Sequence, residues 1–288
     1  MNLQKKKKFD YIDVIANIFM VLFSITILYP MLHVVAVSLS GTGPILRNEI
    51  TIFPMEFTLS SYTYFVDNSE FLTGFVNAVI YTVEAIVAHL AATALMAYPL
   101  SKSNLIGRST IMKLVTFTMY FSGGLIPTYM LVVGLGLRDT EWSWILAQLI
   151  ATYYLIIMIN GYRAIPGSLY EAATLDGASD FQVFLKIALP LSKATLASIG
   201  LFLFIGNWNS WYSAMLYLDD PKKFPLQLYL RSVLIEDTES VNDPGKQNLT
   251  PIGVKNSLIV LTMIPVLVVY PFVQNFFVKG VMVGSVKG

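Results

Sequence analysis

Two groups of residues combine polar and aromatic side chains at helical spacing. Asn77, Tyr81 and Glu84 follow intervals of four and three, which places them on one face of a helix. Asn207, Trp208 and Asn209, followed by Trp211 and Tyr212, set amides beside aromatic rings. Such groups suit recognition of a sugar, whose hydroxyls need hydrogen-bond partners and whose C–H faces lie against rings. Either group can equally be structural. The first would make polar contacts to a neighbouring helix, and the second would anchor at a membrane interface or touch a partner protein. Neither contains a nucleophile–base pair, so no catalytic residue is assigned. His33 and His89 lack metal-ligand spacing with one another and read as structural, so no metal site is assigned. The chain has no cysteine, which excludes disulfides and thiolate metal sites. It also lacks the G-x-x-x-x-G-K-[ST] phosphate loop, so it should not hydrolyse ATP itself.

The elements that carry these groups are apolar. The 288 residues are 55% hydrophobic and 13% charged, with mean hydropathy +0.63. Soluble domains carry about 25% charged residues. The charges cluster between long apolar runs, which identifies an integral membrane protein. Net charge is +1, so electrostatics offers no case for nucleic acid as a partner. Six runs approach the roughly 20 residues that a crossing helix needs: 12–37, 73–98, 110–133, 143–163, 189–212 and 256–278. Backbone amides in hydrocarbon must bond internally, and barrel alternation is absent, so the predicted fold is all-α, a bundle of six transmembrane helices over 12–278. Lys5 to Lys8 precede the first run, which is too long for a cleaved signal and reads as a retained helix.

Basic residues set the orientation. Lys5 to Lys8, Lys102, Arg108, Lys113, Arg163, Lys186, Lys193, Lys279 and Lys287 fall on one side, and most acids fall on the other. Both termini, the tails 1–11 and 279–288, are thus expected in the cytoplasm with the 164–188 loop. Outer segments of about 38–72 and 213–255 are long enough to meet a partner. Gly123, Gly124 and Pro127 should interrupt the third run's outer half, where broken backbone must be buried or line a cavity.

The cytoplasmic loop reads PGSLYEAATLDGASDFQVFLKIALP from Pro166 to Pro190. Ser168 is a possible cap, Glu171 sits near a helix N-terminus, and Gly177 permits a sharp turn before a second helical stretch from Asp180 to Ile187. Periodicity alone leaves two readings open, an interfacial helix or a docking helix. The pattern Glu171-Ala172-Ala173, Asp176-Gly177, nine residues, then Ile187-Ala-Leu-Pro190 resembles the "EAA" loop of ATP-binding-cassette (ABC) importer permeases. The rest of the chain is similar to the maltose-permease-like carbohydrate group, in a branch associated with oligosaccharide and polysaccharide-fragment uptake. The stretches carrying this are FSGGLIPTYMLV at 121–132, GNWNSWYSAMLYL at 206–218 and the terminal PFVQNFFVKGVMVGSVKG.

That resemblance implies a bacterial cytoplasmic-membrane complex. It would hold a second permease subunit, an ATPase dimer that binds ATP and Mg, and an extracytoplasmic solute-binding protein. Glu171, Ala172, Ala173, Leu175, Asp176 and Gly177 would dock on the ATPase, and the tail with Lys279, Gly280 and Lys287 would reach it too. An ABC permease for a non-sugar solute, or an ion-driven secondary transporter, are the alternative readings.

Overall fold

The computed structural model describes residues 11–235 and 249–285, without the side chains of 273 and 275–285. The lysine run 5–8, the acidic stretch 236–247 and Lys287 lie outside the described residues. The described residues are helical, without strands. In chain order the α-helices are α1 Tyr11–Ser38, α2 Thr42–Leu46, α3 Ser60–Val66, α4 Ser69–Ser101, α5 Arg108–Tyr120, α6 Leu125–Gly134, α7 Trp142–Ala147 and α8 Thr152–Arg163. They continue as α9 Gly167–Leu175, α10 Asp180–Val183, α11 Leu189–Leu191, α12 Lys193–Trp208, α13 Trp211–Tyr217, α14 Leu226–Ile235 and α15 Pro251–Ser285.

Among the described residues, three helices are long and apolar enough to cross a membrane: α1, α4 and the 22-residue stretch Pro251–Phe272 of α15. Five crossings result if two bent pairs each count as one. α5 and α6 meet at 114°, and the segment Asp180–Leu191 meets α12 at 75°. The first bend falls at Gly123–Gly124, as the sequence suggests. Gly124 has φ 84 and ψ −178, a region open essentially to glycine. The fourth apolar run, 143–163, differs from the single crossing expected of it. It divides into α7 and α8, separated by residues 148–151. The 12 residues of α8 span only about 18 Å at 1.5 Å each.

The chain divides into two compact bodies. In the first, residues up to 68 combine with 233–263. Ala36, Val37, Ile45 and Ile50 form its small core. His33 Nδ1 lies 2.8 Å from the Thr51 carbonyl, a structural role. Most of α1 exposes apolar side chains, as a lipid-facing helix must.

The second body holds 69–232 and 264 onward, and α4 is its axis. Gly74, Ala78, Thr82, Ala85, His89, Thr93 and Ala97 are buried at intervals of three or four. Small side chains along one face let α8 and α12 approach closely, where van der Waals packing must substitute for the hydrophobic effect. α8 and α12 also approach closely at Gly161. A Cβ on Gly161 would stand 2.8 Å from Thr195 Oγ1 and 2.9 Å from its Cγ2. Threonine is stiff at χ1, so it cannot swing away cheaply. Gly161→Ala should therefore destabilise by about 1–3 kcal/mol. The added Thr195→Ala change should recover part of the loss, and the unfolding midpoint of the purified protein measures both.

At its C-terminal end α4 leaves carbonyls without helical partners. Arg108 Nε donates to the Leu100 carbonyl at 2.8 Å, and Arg163 Nε to that of Ser101 at 3.3 Å. Two cations thus complete the negative end of the helix dipole.

Candidate functional site

The predicted docking helix is α9. It starts after Pro166 and stops through a complete set of C-terminal bonds. The Gly177 amide donates to the Thr174 carbonyl and the Ala178 amide to that of Ala173, both at 3.0 Å. These are the two bonds of a Schellman motif, and Gly177 adopts the left-handed conformation it needs, φ 80. The next helix begins two residues later with a capping box. Ser179 Oγ accepts from the Gln182 amide, and Gln182 Oε1 accepts from that of Ser179. Pro190 cannot donate to the helix before it, and residues Phe184–Ala188 widen into a π-turn there.

One face of α9 is anchored and the other is bare. Tyr170 Oη donates to the Tyr162 carbonyl at 3.3 Å. Lys102 Nζ lies 4.0 Å from the centre of the Tyr170 ring and 4.8 Å from that of Tyr98. Burial pushes the Lys102 ammonium below its usual range, while Asp180 pulls in the opposite direction. Tyr98 also meets Phe184 (5.2 Å) and Tyr162 (5.7 Å), which joins α4, α8 and the second half of the loop. Ala173 and Ala178 pack against this core. Glu171, Ala172, Asp176 and Gly177 are exposed, and Leu175 is 88% exposed. Phe181 and Leu185 are exposed as well. Of the six residues the sequence assigned to docking, five are exposed, whereas Ala173 turns inward; the sequence missed Tyr98, Lys102, Tyr162 and Tyr170, because their association depends on three different helices.

Lys279 and Gly280 are described only as helical backbone in α15.

Asn77 and Tyr81 meet backbone. Asn77 Nδ2 donates to the carbonyls of Lys222 (2.8 Å) and Phe224 (3.2 Å), and Tyr81 Oη to that of Lys223 (3.1 Å). Both residues hold the turn Pro221–Lys223 against α4. Glu84 is half-buried, and its Oε2 is enclosed without a hydrogen-bond partner among the described residues.

The same turn is also held by charged residues that the sequence does not mark as partners. Asp139 Oδ1 accepts from the amides of Asp219 (3.0 Å) and Asp220 (3.2 Å), and Oδ2 from Lys223 Nζ. Lys223 Nζ also donates to the Asp139 carbonyl at 2.8 Å. Arg138 pairs with Asp219 at 2.9 Å. The Lys223 hydrogen bond and the two amides hold the Asp139 carboxyl down at about 2. Asp139 itself has φ 59, a conformation that aspartate tolerates better than most residues.

Asn207, Trp208 and Asn209 separate. Trp208 is buried and packs on Phe75 and Phe204. Asn209 is exposed and donates to the Ile205 carbonyl at 2.8 Å. Asn207 alone lines a cavity of about 220 Å³, at the level where α7 gives way to α8 and α12 to α13. His89, on the wall of that cavity, has its Nε2 3.0 Å from the Ile145 carbonyl.

Apolar helices, several of them broken, around a cavity of polar and aromatic side chains, with a short helix that keeps one face exposed, fit a membrane permease. No family model matches the chain. Protein LplC of Bacillus subtilis (strain 168) is 42% identical over 268 residues, covering 92% of this chain and 90% of that protein. The polygalacturonan/rhamnogalacturonan transport system permease protein YtcP of the same organism is 38% identical over 280 residues, covering 96% and 98%. The crystal structure of a bacterial ABC transporter involved in the import of the acidic polysaccharide alginate contains a similar chain. It aligns with TM-score 0.89 at 29% identity and covers 96% of this chain and 100% of that one. The chain belongs to the family of carbohydrate ABC importer permeases.

Proposed function

We propose that this chain is one of two permease subunits in a bacterial cytoplasmic-membrane importer for an oligosaccharide or polysaccharide fragment. The sugar reaches it from an external solute-binding protein. A separate ATPase dimer binds ATP and Mg and supplies the power. Both termini and the α9 loop face the cytoplasm. Closure of the ATPase pair moves the docked α9, and the movement passes through Tyr170 to α4 and α8.

The observation that carries this reading is the division of α9 into an anchored face and a bare one. Ala172 is small enough to let a partner helix or cleft approach closely, Glu171 offers a charge to a basic partner, and Leu175 offers apolar area. Leu175 is 88% exposed and, with the exposed Phe181 and Leu185 of the same loop, offers apolar area that a partner can cover. A solved chain of the same fold, at TM-score 0.64, comes from an alginate ABC transporter captured with a pentasaccharide-bound periplasmic protein.

Because the chain has no cysteine, single replacements report cleanly. Ala172→Cys should cross-link to a cysteine placed in the docking cleft of the ATPase, and the yield should change between ATP-bound and nucleotide-free complexes. Sugar uptake into liposomes should need both the ATPase and the binding protein. Uptake by this chain alone, or an Ala172→Cys that reacts only with extracellular reagents, would overturn the proposal.

A further inference from the structure

We infer that one face of α5 is a groove for an anionic phospholipid, with the phosphate on Arg108 and Lys113 and an acyl chain along Phe117 and Tyr120. Its assignment to the cytoplasmic leaflet rests on the importer orientation proposed above. The groove encloses about 560 Å³. Arg108, Met112, Lys113, Thr116, Phe117 and Tyr120 line it, a stripe at helical spacing that runs from the first residue of α5 to the last. The other side of α5 is already engaged with α8. Thr152 Oγ1 donates to the Val115 carbonyl at 3.2 Å and lies 3.3 Å from Thr118 Oγ1. No residue of α5 is buried, so the groove face has no cover among the described residues.

The two ends of the groove differ in chemistry. Arg108 spends its Nε on the Leu100 carbonyl at 2.8 Å, which fixes the guanidinium. Its terminal nitrogens make no hydrogen bond among the described residues. A planar fork held this way can meet two oxygens of one phosphate. Lys113 is exposed, forms no ion pair among the described residues, and adds a second positive charge further along the helix. Beyond it the groove turns apolar and aromatic. Phe117 stacks on Phe121, at 4.5 Å and 14°, and the two rings make a wall for an alkyl chain.

The lengths match one leaflet. At 1.5 Å per residue, Arg108 to Lys113 covers about 7.5 Å of helix and Lys113 to Tyr120 about 10.5 Å. A bilayer about 40–45 Å thick around about 30 Å of hydrocarbon leaves about 5–8 Å of headgroup and about 15 Å of acyl chain on each side. The bases thus occupy the headgroup layer, and the aromatic stretch runs most of the way to the midplane, where Gly123 and Gly124 end the helix. A second permease chain seated here would instead bury Lys113, and lysine is depleted from protein interfaces. Two cations in the phosphate layer favour a lipid of net negative charge over phosphatidylcholine, whose own ammonium offsets its phosphate. Each base near an anionic surface contributes about a fivefold preference.

The test uses the assembled complex, with its ATPase and binding protein, in liposomes. This chain has no cysteine, so with cysteine-free partner subunits Tyr120→Cys carries a single bimane fluorophore. Bromine atoms midway along the acyl chains quench a fluorophore that they touch. Brominated phosphatidylglycerol should reach half-quenching at a mole fraction at least about fivefold below that of brominated phosphatidylcholine. Lys113→Gln should remove about fivefold of this preference, and Lys113→Arg should retain it. Thr116→Trp fills the groove and should bring the two lipids level. The preference should appear when the brominated lipid is loaded into the cytoplasmic leaflet alone; its appearance only in the opposite leaflet would overturn the assignment. Equal quenching by the two lipids, or an unchanged preference in Lys113→Gln, would leave only bulk lipid contact and overturn the site. Absence of quenching by either lipid would mean that another subunit covers the face, and displacement by soluble glycerol phosphate would assign the bases to a free anion; each would overturn it too. Sugar uptake is measured in the same vesicles. Uptake with equal quenching sinks the lipid site alone, whereas a lipid preference without any uptake supports the site and sinks the importer reading.

Discussion

Gly177→Val will reduce ATP-driven sugar uptake by at least about tenfold, while Gly177→Asn will retain most of it. A Cβ at this position meets nothing within 4 Å, so crowding is not the issue. What fails is backbone conformation. With φ at 80, an ordinary L-residue pays about 1–2 kcal/mol, and a β-branched one more. A cost of about 1.4 kcal/mol already shifts an equilibrium tenfold. Relaxing that strain means giving up the Gly177 and Ala178 amide bonds that close α9, which would turn the exposed face away from the proposed ATPase partner. Asparagine tolerates the left-handed region and so keeps the turn. The measurement is uptake alongside ATP hydrolysis: valine should break the link between them, with hydrolysis persisting at its basal rate. Equal behaviour of valine and asparagine would remove the conformational argument, and full uptake in both would remove the coupling role.

Asp139→Ala will lower the thermal midpoint by several degrees and loosen the turn at Pro221–Lys223. An exposed ion pair alone is worth little. Here the same carboxylate also accepts two backbone amides and stands where the chain is left-handed, so alanine forfeits three things at once. Asp139→Asn keeps an acceptor and the tolerance for that backbone, and should fall between. Acid provides an independent check. The carboxyl's folded value of about 2 lies below its ordinary 3.8. Its stabilisation is complete above 3.8 and drains away as pH falls toward 2. The Lys223 ammonium is raised by the same hydrogen bond, so its share is present at neutral pH and lost only at strongly alkaline pH. Wild-type protein should thus lose stability more steeply than Asp139→Asn between pH 4 and pH 2 (about one ordinary carboxylate's titration range). Parallel profiles would show that the carboxylate contributes nothing.

These residues also show which features a linear chain reveals. The α9 loop is legible because its signals are local: a glycine at the turn, a polar run between apolar ones, and a motif completed within 25 residues of Pro166. The bend near Gly123–Gly124 is legible for the same reason. The break at 148–151 is not, because Gln148, Leu149, Ile150 and Ala151 include no glycine or proline, and tertiary packing overrides their helical preference. Asp139 and Lys223 are 84 residues apart, and nothing local marks either as a partner. Asn77, Tyr81 and Glu84 do share a face as spacing required. The partners of the first two, carbonyls more than 140 residues onward, could only come from the fold.

Lys102 lies between two tyrosine rings, close to the root of α9. Attraction to a ring face is short-ranged and here partly sheltered from water. Mobile ions weaken contacts between separated, exposed charges far more than contacts of this kind. The hold of Lys102 on the root of α9 will therefore persist at salt concentrations that strip a surface ion pair, and under the proposed coupling the α9 link would be insensitive to ionic strength.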